Sequence, residues 1–316
     1  MIKNKVCIIG AGMVGSATMI AILNTGLVAE IVMIDKNEKK AEGEAMDAFH
    51  TTSFTYMPNV RIRKGTYADC KDAQIIVMTA GPSIKPGEKT DRRALTKINA
   101  KVTRSVMEKI TAYTKEAIII FVSNPVDIVT FVAQNEFDYP KHKIIGTGTL
   151  LDTARMRRII GEHFLVDTKN VHGYILGEHG STAMATWSLC NIGGIPLKDC
   201  NEKFHKEPLN QEDVLREVVQ AGIEILMKKG YTNYGIAETV ARLVKAITLN
   251  ELSVLPVSTT LQGEYHIHNV ALSVPCIIGQ HGIESILDIP LTCEEQKALE
   301  SSASSLRRTM EDFEIV

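Results

Sequence analysis

The sequence predicts an α/β protein in which a doubly wound parallel sheet is followed by an α+β region. Through the first half, short runs of valine and isoleucine alternate with helical patterns, as in parallel sheets that are covered by helices on both faces. These runs are apolar at nearly every position, which is typical of strands buried on both faces. The second half has longer helical patterns and one β-rich stretch. At 316 residues, the chain is long enough for about two domains of roughly 150 residues each.

The elements of the first half follow from its apolar runs and its glycines. We expect four strands, at residues 6–9, 31–34, 75–78 and 118–122. We expect two helices, at residues 13–25 and 93–113. The first helix stops at Gly26, and the second follows a polar loop over residues 81–91. A glycine and threonine stretch over residues 146–149 ends this pattern, so we expect one domain over residues 1–146 and a second over 147–316.

The second half is less regular. Helical periodicity predicts helices at residues 151–164, 211–227, 237–250 and 301–313. Residues 254–275 are rich in β-forming side chains, and Gln262-Gly263 is a turn signal within them. The longer helices and this β-rich segment predict a second domain of the α+β class.

Charge and cysteine usage exclude several classes of protein. The chain has 35 basic and 37 acidic residues, a net charge of −2, whereas a nucleic-acid binder would carry a basic excess. No apolar run approaches the roughly 20 residues that span a bilayer. The six cysteines are scattered with no CxxC pair, so we expect reduced thiols. The first residues lead directly into a strand rather than a signal-peptide core, and we expect a cytoplasmic protein without a metal site.

A glycine-rich turn predicts a dinucleotide site. Residues 10–15 read Gly-Ala-Gly-Met-Val-Gly, directly after the first predicted strand and at the start of the first helix. Asp35 ends the next strand, 20 residues after Gly15, where a carboxylate can bond ribose hydroxyls. The helix N-terminus offers free N–H groups to a pyrophosphate. Because Asp35 would repel a 2′-phosphate, the pattern favours NAD over NADP.

Polar side chains later in the chain are candidates for the chemistry. Asn124 follows the fourth predicted strand, where its amide can bond a ligand or merely cap a helix. Asp152 and Arg155 share one face of a helix, as an ion pair or as part of a site. His179 lies in a Gly-Glu-His-Gly string, where it is either structural or a general acid and base. Their combination with a cofactor site favours catalysis.

Six ordered motifs carry a family resemblance over essentially the whole chain. They are GAGMVG, the acid Asp35, SNPVD, GTGTLLDTARMR, NVHGYILGEHG and KKGYTNYGIA. The chain resembles the lactate/malate dehydrogenase family, and within it the branch of L-lactate and L-2-hydroxyisocaproate dehydrogenases. The resemblance implies a Rossmann domain followed by a catalytic domain, and an NAD-dependent L-2-hydroxyacid dehydrogenase of glycolysis and fermentation. It favours pyruvate and L-lactate as the substrate pair.

The resemblance also implies a role for each matching residue. His179 would exchange a proton with the substrate oxygen, and Asp152 would stabilise the imidazolium. Arg155 would bind the substrate carboxylate with its planar fork. Asn124 would bond the reacting oxygen and help to orient the nicotinamide. Arg92, in the loop after the third predicted strand, would polarise the carbonyl when the loop closes.

Further matching positions line the pocket and the cofactor site. Thr232 would form a pocket wall, and Ile84 occupies the position that usually sets substrate choice. The implied cofactor-binding residues are Gly10, Gly12, Met13, Val14, Gly15, Asp35, Ala80, Gly81 and Asn124.

Three departures from the family pattern leave alternatives open. The loop after Pro86-Gly87-Glu88 is two residues longer than usual, so Arg93 is a second candidate for the loop arginine. Ile84 cannot pair a second carboxylate, which disfavours malate and leaves larger apolar 2-keto acids as the alternative substrates. Ser181 stands where lactate enzymes usually have aspartate, and no account of its effect follows from the sequence. A non-catalytic nucleotide sensor is the alternative of a different class, which the retained His179 disfavours.

Two residues match a regulatory site of bacterial relatives. In many of those enzymes an arginine and a histidine at a subunit interface bind fructose 1,6-bisphosphate. Arg157 and His172 match these positions, and the structural alternative is a surface arginine and a strand histidine. The resemblance therefore implies an allosteric homotetramer with this effector as a possible partner.

Overall fold

The computed structural model of the protein describes residues 4–54, 59–82 and 92–315, with the backbone alone for residues 92–94. Six parallel strands form its centre: β1 (Lys5–Ile9), β2 (Glu30–Ile34), β3 (Arg61–Lys64), β4 (Ile75–Met78), β5 (Ile118–Phe121) and β6 (Ile144–Gly146). They lie in the order β3-β2-β1-β4-β5-β6, so the chain reverses its direction of winding between β1 and β4. This is the doubly wound order that the sequence predicts, and ligands bind at the point of reversal in such sheets.

Five helices accompany these strands: α1 (Met13–Thr25), α2 (Glu38–Thr51), α3 (Arg92–Thr111), α4 (Val126–Asn135) and α5 (Leu150–Phe164). The predicted helix at residues 13–25 is confirmed at both ends, because Gly26 adopts the left-handed conformation that closes it. The predictions missed β3, β6, α2 and α4. α2 buries only an alanine stripe, Ala41, Ala45 and Ala48, which gives a weak apolar signal.

The core forms two layers because the strands alternate their side chains between the sheet faces. Val6 and Ile8 of β1 point into the layer shared with α1, whereas Cys7 and Ile9 point into the layer shared with α3. All five residues of β1 are buried. The resulting frame holds the carboxyl ends of β1, β4 and β5 side by side.

The second half adds four helices and eight strands to the part of the chain that the structure covers. The helices are α6 (Leu197–Phe204), α7 (Gln211–Lys229), α8 (Tyr234–Thr248) and α9 (Cys293–Asp312). The strands are β7 (Val171–His172), β8 (Ile175–Leu176), β9 (Met184–Ala185), β10 (Asn191–Ile192), β11 (Ile195–Pro196), β12 (Ser253–Gln262), β13 (His268–Gly279) and β14 (Gly282–Ile286). The predicted β-rich segment is the long antiparallel pair of β12 and β13.

The large sheet continues across the predicted domain division. β12 pairs antiparallel with β6 through Ser258 and Gly146, and β13 and β14 extend the sheet beyond it. An added Cβ at Gly146 would lie 2.8 Å from Cβ of Ser258, so a glycine is required at this crossing. The division at residue 146 falls at the end of β6 and stays a prediction.

α9 begins earlier than the predicted helix at residues 301–313. Thr292 accepts the backbone N–H of Glu295, and the Glu295 carboxylate accepts the N–H of Thr292, which makes a capping box. The sequence therefore signals the start of α9 by Thr292 and, three residues later, Glu295, and the prediction missed this signal.

The structure bears on two expectations from composition. No helix among residues 4–54, 59–82 and 92–315 is both long and apolar enough to cross a membrane. All six cysteines are free thiols, and Cys293 alone among them is exposed.

Candidate active site

The turn between β1 and α1 has the shape of a phosphate-binding loop. Gly10 has a φ of +109°, and a Cβ there would lie 2.8 Å from the backbone nitrogen of Ala80. A Cβ on Gly15 would lie 1.8 Å from the carbonyl oxygen of Gly10. Gly12, by contrast, faces open space, and no side chain caps the first turn of α1 at Met13. The N–H groups of the first turn of α1 are thus available to an anion.

Asp35 lies beside this turn at the end of β2. Its Oδ2 accepts the backbone N–H of Ala11 at 2.7 Å, and its Oδ1 accepts that of Asn37 at 2.8 Å. Each carboxylate oxygen can accept more than one hydrogen bond, so these contacts orient Asp35 and leave room for ribose hydroxyls. The carboxylate is partly exposed at the sheet edge where a dinucleotide would lie.

The ends of β4 and β5 form the other wall of this crevice. The Ser123 hydroxyl donates to the carbonyl oxygen of Ala80 at 2.8 Å, which joins the two strand ends. Asn124 is exposed and precedes a cis peptide bond to Pro125. Buried Asn99 of α3 donates to the carbonyl oxygen of Asn124 at 2.6 Å. Sequence reasoning missed Asn99, because only the fold brings it to this crevice.

Together these groups fit a dinucleotide. Gly10, Gly15 and Gly81 stand where a side chain would strike the neighbouring strand end or Asn99. A dinucleotide in this crevice would place its phosphates at the positive end of α1 and a ribose beside Asp35. Val14 follows Met13 in the first turn of α1, and Met13 is exposed. Free N–H groups for the phosphates and a carboxylate for the ribose hydroxyls are together the groups that NAD binding requires.

Asp152 and His179 form a buried pair at the centre of the second candidate site. The pair joins Nδ1 of His179 to Oδ2 of Asp152 at 2.6 Å, across 27 residues of sequence. Because an ionised carboxylate only accepts hydrogen bonds, Nδ1 carries the proton of this contact. The imidazole is 28% exposed, and its Nε2 has no hydrogen-bond partner within the described ranges. Nε2 is therefore free to exchange a proton with a substrate.

Arg155 bonds the other oxygen of the same carboxylate. Its Nη1 lies 2.8 Å from Oδ1 of Asp152, three residues earlier on α5. The predicted ion pair is thus present, and it involves the same carboxylate that bonds His179. A guanidinium has five N–H donors, and this is its one bond within the ranges that the structure covers. The rest of the planar fork is available to a second carboxylate.

Charge sets the protonation of this group of side chains. Burial lowers the pKa of His179, but the charge and hydrogen bond of Asp152 outweigh burial and hold the pKa above its ordinary value. Burial likewise raises the pKa of Asp152, but His179 and Arg155 hold it below its ordinary value. The pair therefore favours an imidazolium beside a carboxylate, so the ring stays a proton donor to higher pH than a free imidazole.

Hydrogen bonds from three elements fix the backbone at His179 and at the two residues before it. Gly177 exchanges two backbone hydrogen bonds with Ser273 of β13, at 3.0 and 2.9 Å. The N–H of Glu178 donates to the Ser302 hydroxyl of α9 at 2.8 Å. Asp127 of α4 accepts the N–H of His179 at 2.8 Å. Sequence reasoning quoted Asp127 within a motif but gave it no role, because its partners are distant in the chain.

Other predicted residues are placed in part or not at all. Thr232 is half-buried in the turn between α7 and α8. The first turn of α8, which follows Thr232, packs on α5. A Cβ on Gly235 in that turn would lie 3.1 Å from Leu151, the neighbour of Asp152. Ile84 lies outside the described residues, as do the side chains of Arg92 and Arg93.

Of the two predicted regulatory residues, Arg157 contacts the chain segment that directly follows His172. Arg157 donates from Nε and Nη2 to the carbonyl oxygen of Gly173, at 3.2 and 3.0 Å, and lies over the ring of Tyr174. Burial lowers the pKa of Arg157. His172 immediately precedes Gly173 and is exposed.

Comparison with known proteins identifies the family. Residues 4–146 match the family model described as lactate/malate dehydrogenase, NAD binding domain, and residues 149–315 match the alpha/beta C-terminal domain of the same family. L-lactate dehydrogenase 2 of Clostridium acetobutylicum is 58% identical over 307 residues, which are 97% of this chain and 96% of the relative. L-lactate dehydrogenase of Selenomonas ruminantium is 46% identical over 310 residues, 98% of each chain.

Solved structures agree with these sequence matches. The crystal structure of the minor L-lactate dehydrogenase from Enterococcus mundtii superposes with a TM-score of 0.92, at 39% identity over 98% of each chain. The predicted fold, the NAD cofactor and the dehydrogenase class are thereby confirmed. The chain belongs to the lactate/malate dehydrogenase family.

Proposed function

We propose that the protein catalyses the reversible reduction of pyruvate to L-lactate with NADH. The contact between Nδ1 of His179 and Oδ2 of Asp152 carries this proposal, because it leaves Nε2 as a protonated donor at the edge of the cofactor crevice. Bound NADH supplies the hydride for the carbonyl carbon. His179 gives its Nε2 proton to the carbonyl oxygen, and Asp152 stabilises the imidazolium before transfer. The L-lactate dehydrogenases among the similar proteins support pyruvate as the substrate.

Arg155 and Asn124 orient the substrate in this proposal. The free edge of the Arg155 guanidinium binds the substrate carboxylate as a bidentate pair, which fixes the keto group beside His179. Asn124 bonds the same keto oxygen from the cofactor side. Thr232 lines the pocket, and the loop arginine, Arg92 or Arg93, polarises the carbonyl when water is excluded.

A panel of keto acids tests the proposal. NADH oxidation is measured with pyruvate, 2-ketoisocaproate, phenylpyruvate and oxaloacetate. We expect the highest kcat/KM with pyruvate and the lowest with oxaloacetate, because Ile84 offers no cation for a second carboxylate. A higher kcat/KM with 2-ketoisocaproate would replace the proposed substrate by the larger keto acids that Ile84 and the longer loop leave open. No turnover with any keto acid, while NADH still binds, would favour the nucleotide sensor.

We further propose that the enzyme works as a homotetramer that fructose 1,6-bisphosphate activates. Arg157 bonds the carbonyl oxygen of Gly173, and the exposed His172 is the residue before Gly173, which supports one anion site shared by the two side chains. Two such pairs facing each other across an interface would repel until a doubly phosphorylated anion bridged them. The free thiols support action in the cytoplasm, within glycolysis and fermentation.

Activation assays with one variant test this regulation. Wild-type protein should show a higher kcat/KM for pyruvate with the bisphosphate, and Arg157→Gln should lose the increase while keeping basal turnover. Lys169→Gln, a charge change on the preceding turn, is the matched control. Activation that survives Arg157→Gln would refute the site, and sedimentation of a monomer under both conditions would refute the tetramer.

A further inference from the structure

Asp127 has a buried carboxylate to which the proposed mechanism assigns no role. It lies in the first turn of α4 and is 2% exposed. Its Oδ2 accepts the backbone N–H of His179 at 2.8 Å, and its Oδ1 accepts the hydroxyl of Ser258 at 2.6 Å. Both oxygens are therefore bonded by groups that are distant in sequence, 52 and 131 residues away.

These bonds join three parts of the site. Asn124 follows the end of β5, and Asp127 comes three residues later in α4. Ser258 lies on β12 at the point where it pairs with Gly146. His179 lies on the loop after β8. In the proposed reaction, Asn124 and His179 approach the same substrate oxygen from opposite sides. The Asp127 carboxylate thus sets the distance between the backbones that carry these two groups, and a shift of about 1 Å there is costly to catalysis.

Hydrogen bonding alone does not require a charge at residue 127. An asparagine has the same shape, and its carbonyl oxygen would accept the N–H of His179. The Ser258 hydroxyl would then turn and accept from the asparagine amide, because a hydroxyl both donates and accepts. A buried charge costs free energy that this neutral arrangement avoids. The presence of a charged carboxylate at residue 127 is explained if its negative charge stabilises the imidazolium of His179.

The charges around His179 are consistent with that use. Asp152 and Asp127 face the imidazole as anions, and Arg155 faces it as a cation. Asp127 itself faces His179 and Glu178. Burial raises the pKa of Asp127 to about 6, against the effect of the Ser258 and His179 hydrogen bonds, so the group is mainly ionised at neutral pH.

We propose that Asp127 is a positioning residue for His179, which fixes the backbone of the catalytic loop and places a second negative charge beside the imidazolium. This inference rests on the proposed function, in which His179 donates a proton. It gives the two carboxylates separate tasks. Asp152 bonds the ring directly, whereas Asp127 acts through the backbone and through its field.

A pair of isosteric changes separates charge from position. Asp127→Asn removes the charge and keeps the hydrogen bonds, whereas Ser258→Ala keeps the carboxyl and removes one hydrogen bond that lowers its pKa. We expect the alkaline limb of kcat/KM for pyruvate reduction to move to lower pH by about one unit or less in Asp127→Asn. In Ser258→Ala the limb should move less than in Asp127→Asn. An alkaline limb that does not move in Asp127→Asn would overturn the electrostatic part of the proposal.

Asp127→Ala tests the positioning part. It leaves the N–H of His179 buried without an acceptor, so we expect kcat to fall about tenfold or more while the KM for NADH stays the same. Asp127→Asn should keep kcat at low pH within a few fold of wild type, which rescues position without charge. A wild-type kcat in Asp127→Ala would overturn this part. If Asp127→Ala does not fold, Asp127→Asn provides the test instead. Because Asp127→Asn keeps the hydrogen bonds, loss of its activity at every pH would also overturn the positioning role.

An NMR titration keeps this inference separate from the proposed function. The pKa of the His179 ring is measured in the full-length, isotopically labelled protein without substrate. A lower His179 pKa in Asp127→Asn than in wild type supports the electrostatic role even if pyruvate is not the substrate. An unchanged His179 pKa refutes that role even if pyruvate is reduced. Absence of turnover in wild-type protein would refute the proposed function alone.

Discussion

Asp152 and Asp127 hold His179 at two different points, the first at the Nδ1 atom of its ring at 2.6 Å and the second at its backbone N–H at 2.8 Å. The two carboxylates come from helices on either side of the predicted domain division, α5 and α4. His179 is therefore fixed in both orientation and position, and the only ring nitrogen left for a substrate is Nε2.

The pH dependence of the wild-type enzyme follows from the protonation of His179. Pyruvate reduction needs the imidazolium, and Asp152 raises its pKa above the ordinary value of about 6.5. We expect kcat/KM for pyruvate to be flat at lower pH and to fall as pH rises through this raised pKa. Lactate oxidation needs the neutral ring, so its kcat/KM should rise over the same interval. Profiles with the same direction in both reactions would contradict a single proton-exchanging group.

Asp152→Asn removes the charge that raises the pKa of His179. Burial and Arg155 then act without opposition from Asp152, so the alkaline limb of pyruvate reduction should move to lower pH. At pH 8 we expect a loss in kcat/KM of about a hundredfold, within the range of general acid catalysis. Glu162→Gln, an exposed change on the same helix, serves as the control. An unmoved limb in Asp152→Asn would show that Asp152 does not support the imidazolium.

The phosphate-binding turn is tested by Gly15→Ala. The new Cβ would lie 1.8 Å from the carbonyl oxygen of Gly10, and backbone cannot move aside as a flexible side chain can. We expect NADH affinity to fall at least tenfold, and the free energy of unfolding to fall by about 1–3 kcal/mol. Gly43→Ala, in a part of α2 that is open around the added Cβ, should leave NADH binding unchanged. Titration of NADH fluorescence measures both, and equal affinities would contradict the assignment.

The sequence predicts the centre of the fold better than its edges. The strands β4 and β5 are apolar at every position, β1 is apolar after Lys5, and all three were recognised, whereas β3 reads Arg-Ile-Arg-Lys with one buried side chain. An edge strand of this kind lacks the apolar run on which the prediction depends. α9 was recognised only from its apolar stripe, because its capping box was not read as a start signal.

The site was predictable where its residues lie in one motif. Asp152 and Arg155 are three residues apart, so their pairing follows from helix geometry. The bond from Asp152 to His179 was expected only from the family resemblance, because 27 residues separate them. The role of Asp127 was not predicted, since its bonds to His179 and Ser258 depend on the packing of α4 against β12.

The stability of Asp127→Asn provides a test that is independent of turnover. A carboxyl whose folded pKa is raised to about 6 binds a proton more readily in the folded state, so its charge lowers the free energy of unfolding as pH rises from about 4 to 6. Above pH 6, we expect Asp127→Asn to be more stable than wild type by up to about 3 kcal/mol. Near pH 4 the difference should vanish.

Urea unfolding measures that difference. The fluorescence of Trp187, the single tryptophan, reports unfolding at pH 4.5 and pH 7.5. Ser258→Ala removes one hydrogen bond from the buried carboxyl, so it should be less stable than wild type at pH 7.5. A lower stability of Asp127→Asn at pH 7.5 would contradict the buried, ionised carboxyl on which the inference depends.

The most direct test of the account is His179→Asn, because the proton transfer of the proposed chemistry passes through the Nε2 atom of this residue. Asparagine keeps the backbone N–H that Asp127 binds and has no group that exchanges a proton near neutral pH. The account predicts wild-type NADH affinity together with a fall in pyruvate turnover of about 10²- to 10⁴-fold. Wild-type turnover in His179→Asn would contradict the account at its centre.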